Sequence, residues 1–159
     1  MSFVIGIDPG AAGAVAILER DGSLVQVLDM PSVEITVGGK AKRRVSPEML
    51  AAELRLFNVH ATCAYIEQVS AMPGQGVSSM FAFGQAYGQA LGVLAGLGIP
   101  VQVVTPSRWK RELKLNTGKD AARAMAAARW PQHAGEFRRV KDDGRAEAAL
   151  IALWGLRGE

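Results

Sequence analysis

The chain has 159 residues, of which 49% are hydrophobic and 21% charged, and this balance predicts one globular domain over residues 1–159 rather than a disordered chain. A single cysteine, Cys63, excludes an intrachain disulfide framework and a thiolate zinc site, and no window approaches the ~18 apolar residues of a membrane helix. The single cysteine fits a reducing compartment, so the chain, whose net charge is +3, is expected to be a soluble protein of the cytoplasm.

The first thirty residues predict three antiparallel strands joined by short turns. Residues 2–8 are apolar and rich in β-branched side chains, and they end in Asp8. Residues 13–19 and 24–30 form the next two strands, with Asp21-Gly22 between them as a hairpin turn.

A loop and a helix are predicted next. Residues 31–45 have no apolar period and contain Gly38-Gly39, so we expect a mobile loop. Ser46 and Pro47 then provide an N-cap and a first helical residue for a helix that extends to about residue 58. A fourth strand, residues 61–67, again ends in a carboxylate, Glu67.

The second half of the chain predicts four helices and one more strand. In chain order they are a long helix (77–97), a strand (100–104), a short helix that begins at residue 106 after Thr105, an alanine-rich helix (119–130) and a final helix (about 142–154). The whole predicts an α/β fold with a mixed sheet flanked by helices, in which three antiparallel strands are followed by two parallel ones.

The basic residues are clustered. Residues 1–100 carry six basic and eight acidic side chains, whereas residues 101–159 carry twelve basic and seven acidic ones. Such clusters attract polyanions, among which nucleic-acid backbones are common, although solvated surfaces are an equally open interpretation of charge alone. The clusters are Lys40, Lys42, Arg43 and Arg44; Arg108, Lys110, Arg111 and Lys114; and Arg138, Arg139 and Lys141.

Four acidic residues occupy positions at which a folded chain rarely places charge. Asp8 and Glu67 each end an apolar strand, and Asp143 and Glu147 flank Gly-Arg-Ala at the start of an apolar helix. Each alone has a structural explanation, such as capping or pairing with arginine, but the joint pattern favours a metal site. Because the chain has only two histidines and one cysteine, the ligands are oxygens, which favours Mg²⁺ or Mn²⁺ over zinc.

Four motifs, in order over nearly the whole chain, resemble the RuvC family of Holliday-junction resolvases, in its bacterial and phage-borne branch. They are Gly6-Ile7-Asp8-Pro9-Gly10, Ile66-Glu67-Gln68, Gly84-Gln85-Ala86-Tyr87-Gly88 and Asp143-Gly144-Arg145-Ala146-Glu147-Ala148. The resemblance implies an RNase H-like fold and a homodimer that cuts four-way DNA junctions at two symmetric sites. It also implies Mg²⁺ as cofactor, with Mn²⁺ as a substitute and two ions per active site.

The resemblance assigns catalytic and metal-binding roles to Asp8, Glu67, Asp143 and Glu147. In the best-known members the last pair is two Asp residues three apart, whereas here it is Asp and Glu four apart. The resemblance places the family's basic residues near the scissile phosphate on Lys110 and Lys119. Independently of it, the basic clusters predict DNA contacts by Lys40, Lys42, Arg43, Arg44, Arg108 and Arg111. The family's aromatic wedge has no counterpart, since Ser70 occupies its place, and Met72, Met80 and Phe81 are alternatives.

Two further patterns have less specific interpretations. Gly84, Gly88, Gly92 and Gly96 recur every four residues on the long helix and leave one face bare, for close approach of either the sheet or, as the resemblance suggests, a second subunit. The three tryptophans, Trp109, Trp130 and Trp154, are interpreted as core anchors, and the two histidines are assigned no role.

Other functions remain open at this point. Residues 6–13 also resemble the first phosphate loop of actin-like sugar kinases, but such phosphotransferases need a duplicated domain and a second phosphate loop. A nuclease of the same fold that acts on an RNA:DNA hybrid or a flap is a nearer alternative. A junction-binding protein without catalysis is the third, and the four carboxylates argue against it.

Overall fold

The computed structural model describes residues 1–158 and contains seven strands. They are β1 (Phe3–Asp8), β2 (Ala14–Glu19), β3 (Leu24–Asp29), β4 (Ser32–Val37), β5 (Lys40–Val45), β6 (Ala61–Glu67) and β7 (Val101–Val104). Five of them form one sheet in the order β3-β2-β1-β6-β7. β1–β2 and β2–β3 pair antiparallel, whereas β1–β6 and β6–β7 pair parallel, which confirms the predicted mixed sheet.

Five α-helices surround the sheet. They are α1 (Pro47–Arg55), α2 (Val77–Gly96), α3 (Pro106–Glu112), α4 (Ala121–Arg129) and α5 (Asp143–Arg157), and short 3-10 segments cover Pro131–Phe137 and Val140–Asp142. The hydroxyl of Ser46 accepts a hydrogen bond from the Met49 N–H, as expected of the predicted N-cap. Helix α1 ends earlier than the predicted residue 58, and α5 continues past the predicted residue 154.

The prediction of a mobile loop over residues 31–45 is wrong. β4 and β5 form an antiparallel two-stranded hairpin there, with Val37 paired to Lys40 across a two-residue turn. Gly38 and Gly39 both adopt positive φ (58° and 74°), which is the requirement of the commonest two-residue hairpin turn. The sequence does not show these strands because most of their side chains are exposed, so no buried face imposes an apolar alternation.

The helices divide into two layers, one on each face of the sheet. The cluster of buried side chains on one face includes Leu50 and Leu54 of α1 and Ala86, Ala90 and Leu94 of α2, with Ile5, Ile7 and Ile66 of the sheet. The cluster on the other face joins α3, α4 and α5 to the alternate residues of the same strands. The sheet is therefore buried on both sides, which accounts for the continuous apolar runs of β1, β2 and β6.

Helix α5 lies unusually close to β1. A Cβ placed on Gly6 of β1 would lie 2.0 Å from the carbonyl oxygen of Ala148, and one on Gly144 would lie 2.7 Å from that of Ala12. These two glycines are therefore required for the contact between α5 and the start of the sheet. Arg145 adds an ion pair from α5 to Asp29 at the end of β3, with 2.7 Å between Nε and Oδ1.

No helix within residues 1–158 combines the length and the apolar character needed to cross a bilayer.

Candidate active site

Three carboxylates meet at one edge of the sheet. Asp8 ends β1 and Glu67 ends β6, and because these strands are parallel neighbours with Ile7 beside Ile66, their last residues emerge together. Glu147 reaches the same place from the second turn of α5. One carboxylate oxygen of each residue lies within 4.8 Å of the others, so the three side chains can hold a metal ion together.

Two of these carboxylates, Asp8 and Glu67, have raised pKa values. Burial raises the pKa of Asp8 well above its ordinary value, and the negative charges of Glu147 and Glu67 raise it further. Burial also raises the pKa of Glu67, against the opposing effect of a hydrogen bond from Trp109. A bound cation would stabilise the ionised form of carboxylates that burial and neighbouring negative charges otherwise disfavour. This is the environment expected of a metal site.

Helix α3 supplies two donors to this cluster. Lys110 Nζ lies 3.0 Å from Glu147 Oε1, and Trp109 Nε1 donates to Glu67 Oε2 at 2.7 Å. Burial alone would lower the pKa of Lys110, but Glu147, Glu67 and Asp8 outweigh it and raise the pKa above its usual value. Lys110 is therefore held in its charged form beside the carboxylates.

The fourth predicted ligand, Asp143, lies outside the group of three. It occupies the first turn of α5, and its Oδ1 accepts a hydrogen bond from Arg123 Nε at 2.7 Å. Its side chain is 47% exposed and lies one turn before Glu147. A metal-binding role for Asp143 stays a prediction.

Asp142 has a different environment from its neighbour. Its side chain is 1% exposed, and it accepts hydrogen bonds from the backbone N–H and the guanidinium of Arg139, the former at 2.8 Å. Burial by itself would raise the pKa of Asp142, but the bonds from Arg139 outweigh it and hold the pKa below its ordinary value. Asp142 thus closes the turn before α5 and does not point into the cluster.

The remaining predicted basic residues are on the surface. Lys119 is exposed in the turn before α4, Arg111 is exposed on α3, and Arg108 is exposed in an ion pair with Glu112. The four cations of the hairpin, Lys40, Lys42, Arg43 and Arg44, all lie on β5 and are exposed.

A groove separates the hairpin from the start of α2. It has a volume of about 810 Å³, and its lining includes Lys42, Arg43 and Arg44 on one side and Phe81 and Phe83 on the other. Gly10 and Ala11, two and three residues after Asp8, also line the groove. Of the three alternatives for the missing wedge, Phe81 and Met72 are exposed (74% and 62%), whereas Met80 is half-buried.

A comparison with protein families decides the chain's relationship. The family model described as "Crossover junction endodeoxyribonuclease RuvC" matches residues 4–128, which covers most of the chain and includes Asp8, Glu67 and Lys110. The chain belongs to the RuvC family. The match ends before α5, so the position of Glu147 rests on the geometry described above.

Three curated proteins are similar in sequence. "Crossover junction endodeoxyribonuclease RuvC" of Chloroflexus aggregans is 27% identical over 150 residues, 94% of this chain and 89% of that protein. The RuvC of Chlorobaculum parvum is 32% identical over 129 residues, 79% of this chain and 65% of that one. "Holliday junction resolvase MOC1, chloroplastic" of Chlamydomonas reinhardtii is 38% identical over 98 residues, 60% of this chain. The chain spans just under two thirds of the Chlorobaculum RuvC and only 11% of the algal protein.

Solved RuvC structures have the same fold. The structure described as "T. thermophilus RuvC in complex with Holliday junction substrate" superposes with a TM-score of 0.59 over 99% of this chain and 96% of that chain, at 16% identity. A second Thermus thermophilus RuvC structure gives 0.56 over 98% and 96%, also at 16% identity. The five-stranded mixed sheet with flanking helices is thus the RuvC architecture.

Sequence reasoning missed two polar contacts of this RuvC-like site. Trp109 was interpreted only as a core anchor, but its indole N–H also bonds Glu67, and the sequence signal available was its position beside Lys110. Arg123 was assigned no role, yet its guanidinium holds Asp143. These residues are 20 positions apart, and no local pattern connects them.

Proposed function

We propose that the protein is a metal-dependent, structure-selective endonuclease that resolves four-way DNA junctions by paired symmetric nicks. The observation that carries this proposal is the meeting of Asp8, Glu67 and Glu147 within 4.8 Å in a chain of the RuvC family. Relatives named as Holliday junction resolvase and crossover junction endodeoxyribonuclease support the same reaction class.

The donor set fits Mg²⁺, with Mn²⁺ as a substitute. Asp8, Glu67 and Glu147 offer only carboxylate oxygens, which are the ligands that these hard cations prefer. We propose two ions per active site, with Asp143 completing the ligand set from the preceding turn of α5. Bound divalent ions supply activation of water and stabilisation of the leaving oxygen in phosphodiester hydrolysis.

The protein's own groups have separable tasks in this scheme. Asp8 is fixed by a central strand, so its carboxylate has a defined position close to Glu67 and Glu147. Lys110, held in its charged form 3.0 Å from Glu147, is placed to stabilise negative charge that develops on the scissile phosphate. Lys119 is proposed to approach the same phosphate from the turn before α4, as the family resemblance implies.

Phosphate contacts are proposed for two surfaces. The first is the set of exposed cations on β5, Lys40, Lys42, Arg43 and Arg44, of which the last three line the groove described above. The second is Arg108 and Arg111, which are exposed on α3 next to Lys110. Both would position DNA without reading its sequence, because backbone contacts carry no base information.

A homodimer is proposed because two symmetric cuts require two active sites, and each chain provides one carboxylate cluster. The glycine face of α2 supports a surface for this dimer. Ala86, Ala90 and Leu94 face the sheet, whereas added Cβ atoms at Gly84, Gly88, Gly92 and Gly96 would meet nothing within 4 Å among the described residues. The bare face therefore does not serve the contact between α2 and its own sheet.

Two expectations of wider scope are retained as proposals. We propose that residues 1–159 act as one nuclease domain, since both the carboxylates and the basic surfaces lie within it. We also propose a cytoplasmic location, although one relative is named as chloroplastic.

The proposed function is tested by a cleavage assay on three substrates in parallel: a four-way junction, an RNA:DNA hybrid and a flap. We expect paired nicks in the junction with Mg²⁺ or Mn²⁺ and none in the presence of a chelator. Preferential cleavage of the hybrid or the flap would assign another substrate to the same site. Binding of the junction with no cleavage under any metal condition would contradict the proposal.

A further inference from the structure

Helix α3 holds two of the three carboxylates through consecutive residues. Lys110 pairs with Glu147, and Trp109 Nε1 donates to Glu67 Oε2 at 2.7 Å. Trp109 is 0% exposed and belongs to the buried cluster that includes Val104 and Leu113. Because its ring is fully packed, its N–H has a fixed direction, and that direction is towards Glu67.

The chemistry of this bond differs from that of the neighbouring lysine. An indole N–H is a donor only and carries no charge, so it can orient a carboxylate without competing electrostatically with a bound cation. The bond involves Oε2 of Glu67, and among the described residues no hydrogen bond is made to Oε1. A ligating carboxylate that is held in this manner needs no reorganisation when an ion binds.

We infer that Trp109 is a positioning residue of the metal site, whose indole N–H fixes the orientation in which Glu67 ligates the divalent ion. The inference rests on the proposed function, since it requires that Glu67 is a metal ligand. Partners of metal-ligating groups typically contribute about 10–100-fold to metal affinity. The loss of this N–H should therefore weaken metal binding even where the aromatic packing is kept.

The chain offers a matched control. Trp130 is also buried, at 4% exposed, and its Nε1 donates one hydrogen bond, to the carbonyl oxygen of Gly22 at 2.8 Å. Trp109→Phe and Trp130→Phe thus make the same chemical change at a buried ring, and each removes one hydrogen bond of an indole N–H. Only the first of these bonds involves a carboxylate of the site.

The experiment measures Mn²⁺ binding to the DNA-free protein by electron paramagnetic resonance of the unbound ion. We expect Trp109→Phe to lower the affinity about 10–100-fold and Trp130→Phe to leave it unchanged. Equal affinities of wild type and Trp109→Phe would overturn the inference while the metal site stands. An absence of Mn²⁺ binding to the wild type would overturn the metal site and the inference together.

A double-mutant cycle separates positioning from a general packing effect. If Trp109 acts through Glu67, Trp109→Phe should have little further effect on Mn²⁺ affinity once Glu67→Gln is present. A full additional loss in the double variant would show that Trp109 supports the site by packing alone, and would overturn the inference.

A second measurement uses the unaltered fold. In ¹⁵N-tryptophan-labelled protein, the indole N–H resonance of Trp109 should move on addition of Mg²⁺, while that of Trp130 stays in place. A stationary Trp109 resonance at Mg²⁺ concentrations that support cleavage would contradict a bond to a ligating carboxylate, whether or not Trp109→Phe folds.

Discussion

Asp142 and Asp143 are adjacent in sequence but have opposite environments. Asp142 is buried and bonded to Arg139, whereas Asp143 is half-exposed on the same helix as Glu147 and one turn before it. Residues four apart on a helix share a face, so Asp143 can turn towards the carboxylate cluster and Asp142 cannot. The two residues should therefore respond differently to removal of their charge.

We expect Asp143→Asn to stop cleavage, as Glu147→Gln should, and Asp142→Asn to retain most of it. The physical reason is that Glu147 belongs to the carboxylate cluster and Asp143, one turn before it, shares its helix face, whereas Asp142 does not. Single-turnover cleavage of a four-way junction at saturating Mg²⁺ measures the effect. Slower cleavage by Asp142→Asn than by Asp143→Asn would reverse the assignment.

Asp142→Asn should instead lower the free energy of unfolding, by about 1–3 kcal/mol, because it weakens buried bonds to a charged group. The pKa of Asp142 lies below its ordinary value of 3.8 in the folded protein. The unfolded chain thus takes up this proton first, and the stabilisation is complete above pH 3.8 and is lost as the pH falls through the folded pKa. Urea unfolding of both proteins should show their stabilities converging on acidification; a constant difference would contradict this account.

At the scale of elements, the strands that carry Asp8 and Glu67 could be predicted because burial on both faces makes them apolar throughout. The hairpin of β4 and β5 could not, because its side chains are exposed and the basic cluster resembles a solvated loop. For helix α5, the four-residue spacing of Asp143 and Glu147 is enough to predict that the two side chains share a helix face. The partner that holds Asp143, Arg123, lies on another helix and depends on tertiary packing.

The hairpin fixes the positions of its basic residues, because Lys40, Lys42 and Arg44 share one face of β5 and Arg43 lies on the other. Replacement of Lys40, Lys42, Arg43 and Arg44 by Ala should weaken junction binding and reduce the slope of log affinity against log salt by roughly 3–4, as fewer counterions are released. Cleavage of bound junction should change little, since none of the four lies in the carboxylate cluster. Fluorescence anisotropy over a salt series measures the slope, and an unchanged slope would count against these phosphate contacts.

At the scale of the whole molecule, the exposed glycine face of α2 is expected to form the dimer contact. Gly88→Arg should convert the dimer to a monomer by blocking close approach, without weakening the helix, because arginine has a higher helix propensity than glycine. Ala128→Arg, at an exposed position of α4 on the opposite layer, is the matched control and should remain dimeric. Light scattering with and without junction DNA gives the masses. A wild-type protein that is monomeric in both conditions would refute the dimer.

The most direct test of the whole account is Asp8→Asn, assayed for junction binding and junction cleavage in the same preparation. The amide has nearly the same shape as the carboxyl group and removes the repulsion of Asp8 by Glu147 and Glu67, so the fold should be retained. We predict wild-type binding affinity, since the basic surfaces are intact, with cleavage reduced at least about 100-fold at any Mg²⁺ concentration. Loss of binding and cleavage to the same extent, or cleavage at the wild-type rate, would contradict the assignment of Asp8 to the metal site.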